Sequence, residues 1–178
     1  MNKILIVILL TSPVVKVYSQ KLEREPEYNY LSLGTNVMTN TTGTFASKAF
    51  ITLEFGRSFG IFDLGLMAGR LTMAKSDSSW FTELLPTINV FSKGRFSEAL
   101  TIGAGFIFHS KNNFLTELTN TINFTPSNQI VIAISEGNYF LDGKLSTAKA
   151  QYIGLSLTYN FIARNSKTNL LKKRSLLN

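Results

Sequence analysis

Residues 151–161 read QYIGLSLTYNF. Ile153, Leu155, Leu157, Tyr159 and Phe161 share one parity, and Tyr152, Gly154, Ser156, Thr158 and Asn160 share the other. Successive side chains of an extended chain point to opposite faces, so the stretch predicts a β-strand with one apolar face and one small, polar face. The apolar face closes on Tyr159 and Phe161, and only a basic stretch follows.

Working back from that strand, the chain repeats the same rhythm of period-two alternation broken by turn clusters. Strands are predicted near Tyr28–Val37, Ser47–Gly56, Ile61–Leu71, Trp80–Phe91, Ala99–Phe108, Phe114–Phe124 and Gln129–Ser135. Tight turns are expected at Arg57–Gly60, at Lys93–Arg95 and at Thr125–Asn128, where Pro126 takes the second turn position. Longer connections are expected at 39–44, at 74–79 and through Gly137 and Asp142-Gly143, with a short one at 110–113. Pro86 lies inside the fourth strand, where it cannot donate to a ladder, and predicts a bulge or bend there.

Periodicity cannot say whether the apolar parity points into a core or out to lipid, but the minority parity can. It carries Ser32, Gly34, Asn36, Thr52, Glu54, Asp63, Gly65, Gly69, Thr101, Gly103, Gly105, Thr119, Thr121 and Asn123. Glycines facing solvent would weaken a soluble sheet without return. Small residues suit the interior of an eight-stranded barrel, which is only just wide enough for side chains. Phe55, Trp80, Phe91, Phe108, Phe124, Tyr159 and Phe161 fall at strand ends, as interfacial aromatic girdles do. The reading is all-β: an eight-stranded antiparallel up-and-down transmembrane β-barrel. The rival is a soluble periplasmic β-barrel that binds a lipid or other apolar ligand, with Phe62, Leu64, Phe106 and Leu155 lining its cavity.

Composition agrees with a surface not wholly meant for water: only 16% of residues are charged, against about 25% in soluble domains. There is no cysteine, which excludes disulfides, thiolate metal sites and a cysteine nucleophile. The formal charge of +7 is carried by the two ends. Lys3 and Lys16 lie at the N-terminus, Arg164, Lys167, Lys172, Lys173 and Arg174 in the tail, and residues 20–163 balance 11 bases with 11 acids. Nucleic acid therefore has no basic patch to bind on the body. Residues 1–19, with Lys3 before the apolar run Ile4–Leu10, read as a cleaved signal peptide. That run is too short for a spanning helix, which needs about 20 residues. Residues 20–27 form a short polar segment, 28–161 the barrel and 162–178 a basic C-terminal tail.

Leader, strands, one-sided tight turns and QYIGLSLTYNF together resemble the small outer-membrane β-barrel proteins of Gram-negative bacteria. The resemblance implies outer-membrane location, contact with membrane lipid, periplasmic termini, and Ile153, Leu155, Leu157, Tyr159 and Phe161 as the signal read by the barrel-assembly machinery. The family commonly ends at that last aromatic, whereas this chain continues to Asn178.

Candidate chemistry is sparse. His109 and Ser110 are adjacent, so an extended strand points them to opposite faces, which argues against the base–nucleophile pair of a lipid A-modifying barrel enzyme. Lys48, Glu54, Asp63, Glu83 and Glu117 fall on the inward parity and predict a polar network filling the lumen. The basic tail reads as a periplasmic extension, as a binder of anionic headgroups or peptidoglycan-associated partners, or as a short amphipathic helix. No cofactor, metal site or catalytic set is expected, and the barrel is expected to be monomeric. The function anticipated is structural, adhesive or homeostatic in the cell envelope, with a closed lumen.

Overall fold

The computed structural model describes residues 27–42, 45, 48–72, 78–108, 113–143 and 146–162. Eight strands follow in order: β1 Tyr28–Thr41, β2 Ala49–Ser58, β3 Phe62–Thr72, β4 Ser78–Lys93, β5 Phe96–Phe108, β6 Asn113–Ser127, β7 Ile130–Gly143 and β8 Ser146–Ile162. Each pairs antiparallel with the next, and β1 closes on β8 through Leu31↔Tyr159, Leu33↔Leu157 and Thr35↔Leu155. Closure leaves no edge to pair with another chain. The start of β1, the end of β8 and the three tight turns share one end of the cylinder; the other four connections share the opposite end. Gly60 and Gly94 take the left-handed φ values, 93° and 63°, that the β2–β3 and β4–β5 turns require.

The apolar parity faces outward. Leu33, Ile51, Leu66, Ile102, Ile134 and Leu155 all stand exposed around the cylinder, Ile102 at 64%. At the turn end this belt is edged by Phe96 against Phe124, ring centroids 5.1 Å apart, and by Tyr159 against Phe161 at 4.9 Å. Trp80, exposed, and the Phe106–Phe114 pair at 5.8 Å edge it at the loop end. A cylinder with an apolar band between two aromatic girdles is a transmembrane barrel. Phe62, Leu64, Phe106 and Leu155 lie on its outer surface, so the soluble, ligand-filled alternative is excluded.

Three expectations change. The connection before β8 is not a long loop: β7 and β8 pair continuously as far as Gly143↔Ser146. Pro86 causes no shift of register, since Leu84↔Ala104 and Thr87↔Thr101 keep step on either side of it; the β4 bulge falls between Asn89 and Phe91. Pro126 sits within an irregularity between Phe124 and Ser127 rather than at the turn, which lies beyond β6 at 128–129.

Candidate functional site in the barrel interior

The interior has two unlike halves. Toward the loop end it is dry and apolar, filled by Met38, Phe45, Phe50, Met67, Leu71, Phe81, Ile107, Leu115, Tyr139, Leu141 and Tyr152. Phe50 is the hub, with its ring 6.3 Å from Phe81, 6.0 Å from Tyr139 and 6.0 Å from Tyr152. Tyr139 and Tyr152 stack at 5.0 Å. Such a cluster packs close to crystal density across the loop-end half of the lumen.

Toward the turn end the interior is a polar cavity of about 490 Å³, lined by Ser, Thr and Asn side chains, with Gly94, Arg95 and Asn128 at its mouth. Thr87 and Thr101 hydroxyls meet at 2.7 Å, and Thr158 donates to Ser32 at 2.8 Å. The small inward residues anticipated from the sequence provide this half; the aromatic half was not anticipated.

Four of the five residues expected in the lumen are inside. Tyr30 donates its hydroxyl to Glu54 Oε1 at 2.6 Å. Asn89 donates to Asp63 Oδ2 at 3.2 Å, and the Ser58 hydroxyl lies beside the same carboxyl. Thr119 donates to Glu117 Oε1 at 2.5 Å, and the Tyr152 hydroxyl donates to the same oxygen. Glu83, 1% exposed, finds no donor for either oxygen; the Glu117 carboxyl lies against it. Lys48 is the exception. It is exposed, ahead of the first residue of β2, and does not enter the network. Among the described residues the ion pair is Arg57 to Glu27 at 2.8 Å, solvent-exposed and outside the lumen. Two adjacent carboxyls so deeply buried, at the boundary between the two halves, need a proton or a cation to compensate them.

Of the donors that hold these acids, Thr119 and Tyr152 lie on the polar parity already read from the sequence, and Tyr30 and Asn89 are additions. The signal for these two was parity: each shares the inward face of its strand with residues already read as inward. Ile153, Leu155, Leu157, Tyr159 and Phe161 all face outward on β8. His109, Ser110, residues 1–26 and the tail bases Arg164, Lys167, Lys172, Lys173 and Arg174 lie outside the described residues.

These features define a class, the small eight-stranded transmembrane barrel. No family model matches the sequence, and no curated protein matches it. Solved structures do. The chain is similar to Neisserial surface protein A, with TM-score 0.55 at 4% identity over 77% of this chain and 100% of that one. It is similar to the N-terminal β-barrel domain of Pseudomonas aeruginosa OprF, with TM-score 0.53 at 9% identity over 77% and 100%. It also matches a de novo designed transmembrane β-barrel, with TM-score 0.52 at 11% identity over 78% and 98%. At such identities the likeness is one of fold: small outer-membrane β-barrels share this architecture.

Proposed function

We propose that this protein is a non-conducting outer-membrane barrel with a structural or adhesive role in envelope maintenance, its termini in the periplasm. The observation that carries the reading is the Phe50-centred plug inside a cylinder whose outer face is an apolar belt. A transport function needs a continuous wet path, and bulky rings stacked across the lumen oppose one. The protein then acts through its surface, from the loop end, with membrane lipid as its principal partner. Export by residues 1–19 and handling of Ile153 to Phe161 by the assembly machinery belong to the same proposal. We read the chain as a non-enzyme: Glu117, the carboxylate that could join His109, is engaged by Tyr152 and Thr119 inside the barrel.

The test uses isolated membranes and then planar bilayers. The mature chain should resist carbonate extraction, migrate differently on a detergent gel when unboiled, and add no stepwise conductance to a bilayer. Release into the soluble periplasm would overturn the membrane placement, and well-defined conductance steps would overturn the closed lumen.

A further inference from the structure

The polar cavity opens at the end of the barrel where β8 finishes. Its wall carries Glu54, Asp63 and Glu117, and the cation among its lining residues, Arg95, stands exposed at the mouth. Two acceptors in that wall have room for a further donor: Asp63, beside only the neutral donors Asn89 and Ser58, and the unpartnered side-chain oxygen of Asn160, a residue 6% exposed. Acceptors with capacity to spare in an acid-lined recess suit a side chain that only donates, a guanidinium or an ammonium.

The chain itself carries such groups in the sequence that follows Ile162. Residues 163–178 hold Arg164, Lys167, Lys172, Lys173 and Arg174 and no acid. Arg164 continues the sequence parity of Ser156, Thr158 and Asn160, the cavity-facing side of β8. Extended chain spans about 3.3–3.6 Å per residue, so the five steps from Ile162 to Lys167 reach about 17 Å, enough to cross the mouth of an eight-stranded barrel. Asp63 is the second residue of β3, at this same end, paired with Ser58 and Thr87.

We propose that the cavity is the docking site for the chain's own basic segment, residues 163–178, which enters from the turn end and sets Arg164 and Lys167 against Asp63, Glu54 and Asn160.

The absence of cysteine makes the test clean. In the full-length mature chain, Val131→Cys in the cavity wall is combined with Lys167→Cys; Lys93→Cys, exposed on β4 at the same end, gives the control pair with Lys167→Cys. Under mild oxidation the 131–167 disulfide should form at least about tenfold faster than the 93–167 disulfide, because docking raises the local concentration of one thiol at the other. Adding Glu54→Gln and Asp63→Asn should bring the two rates together, with the unboiled gel shift reporting that the barrel still folds. If that variant does not fold, salt at about 1 M should slow the 131–167 reaction of the otherwise unaltered chain through charge screening. Equal rates for the two pairs, or indifference to both carboxyl removal and salt, would overturn the proposal. Equal rates with calcium retained on the barrel after gel filtration would give the cavity to a free divalent cation, and overturn it likewise.

Discussion

Gly137 on β7 lies directly across from Tyr152 on β8, and the tyrosine ring fills the space a side chain at 137 would need. A Cβ placed there would stand 2.5 Å from two ring carbons and 2.5 Å from the Thr119 hydroxyl. The ring is held on its far side by Tyr139 and by its bond to Glu117, so it cannot yield. Gly137→Val should cost about 1–3 kcal/mol by overpacking. Denaturant titration of the folded, unboiled band measures it, and a midpoint equal to the parent's would show that the ring moves aside freely.

The outward face predicts a dependence on depth. Leu155, mid-strand and 51% exposed, should lose about 2–4 kcal/mol as Leu155→Arg, whereas Ile130→Arg at the turn-end rim should lose only about 0–1 kcal/mol. Stability of each variant folded into vesicles gives the comparison. Equal, small costs at both sites would mean that water, not lipid, covers Leu155.

Strand number, the turn-end hairpins and the inside–outside sense of most strands were legible because lipid outside and small side chains inside impose opposite chemistries on alternate residues. What escaped was the loop-end half, where that contrast reverses. On β7 and β8 the residues Glu136, Asn138, Lys149 and Gln151 face out, with Gln151 donating to Glu136 at 2.8 Å, while Tyr139, Leu141, Ala148, Ala150 and Tyr152 face in. Polar groups outside and a packed core inside are the rule of a soluble protein, so the apolar parity switches where the strands reach the plug. The switch ended the predicted seventh strand at Ser135 and turned paired strand into an imagined loop. The carboxyls inside were legible from parity alone; which tyrosines hold them was not, because a tyrosine on the polar parity reads equally well as girdle or as filler. Lys48 was misplaced by counting parity through a residue that lies before the strand begins.

Phe50 tests the plug. It meets Phe81, Tyr139 and Tyr152 at once, and Phe50→Ala should cost about 3–5 kcal/mol, as buried aromatic truncations do. Phe50→Leu, which keeps most of the volume, should cost roughly half of that or less. Unfolding midpoints in vesicles would sink the idea of a packed plug if both substitutions proved neutral.

The two buried glutamates differ in their partners, and this separates their expected effects. Glu117 accepts from Thr119 and Tyr152, whose hydroxyls are themselves 2.7 Å apart, while Glu83 accepts from neither and rests against Glu117. Glu83→Gln replaces a carboxyl that bonds Glu117 only when it holds a proton with an amide that donates to Glu117 without one. It should leave stability unchanged or raise it by about 0.5–1.5 kcal/mol, the net worth of one hydrogen bond. Glu117→Leu removes the shared acceptor of two buried hydroxyls and should cost about 1–3 kcal/mol. Combining them shows whether the two sites act together: with Glu117 already Leu, Glu83→Gln has lost its acceptor and should no longer stabilise. Denaturant midpoints of the four chains decide it. Equal losses from the two single substitutions would mean that Glu83 has a donor of its own and that the pair does not share one compensating group.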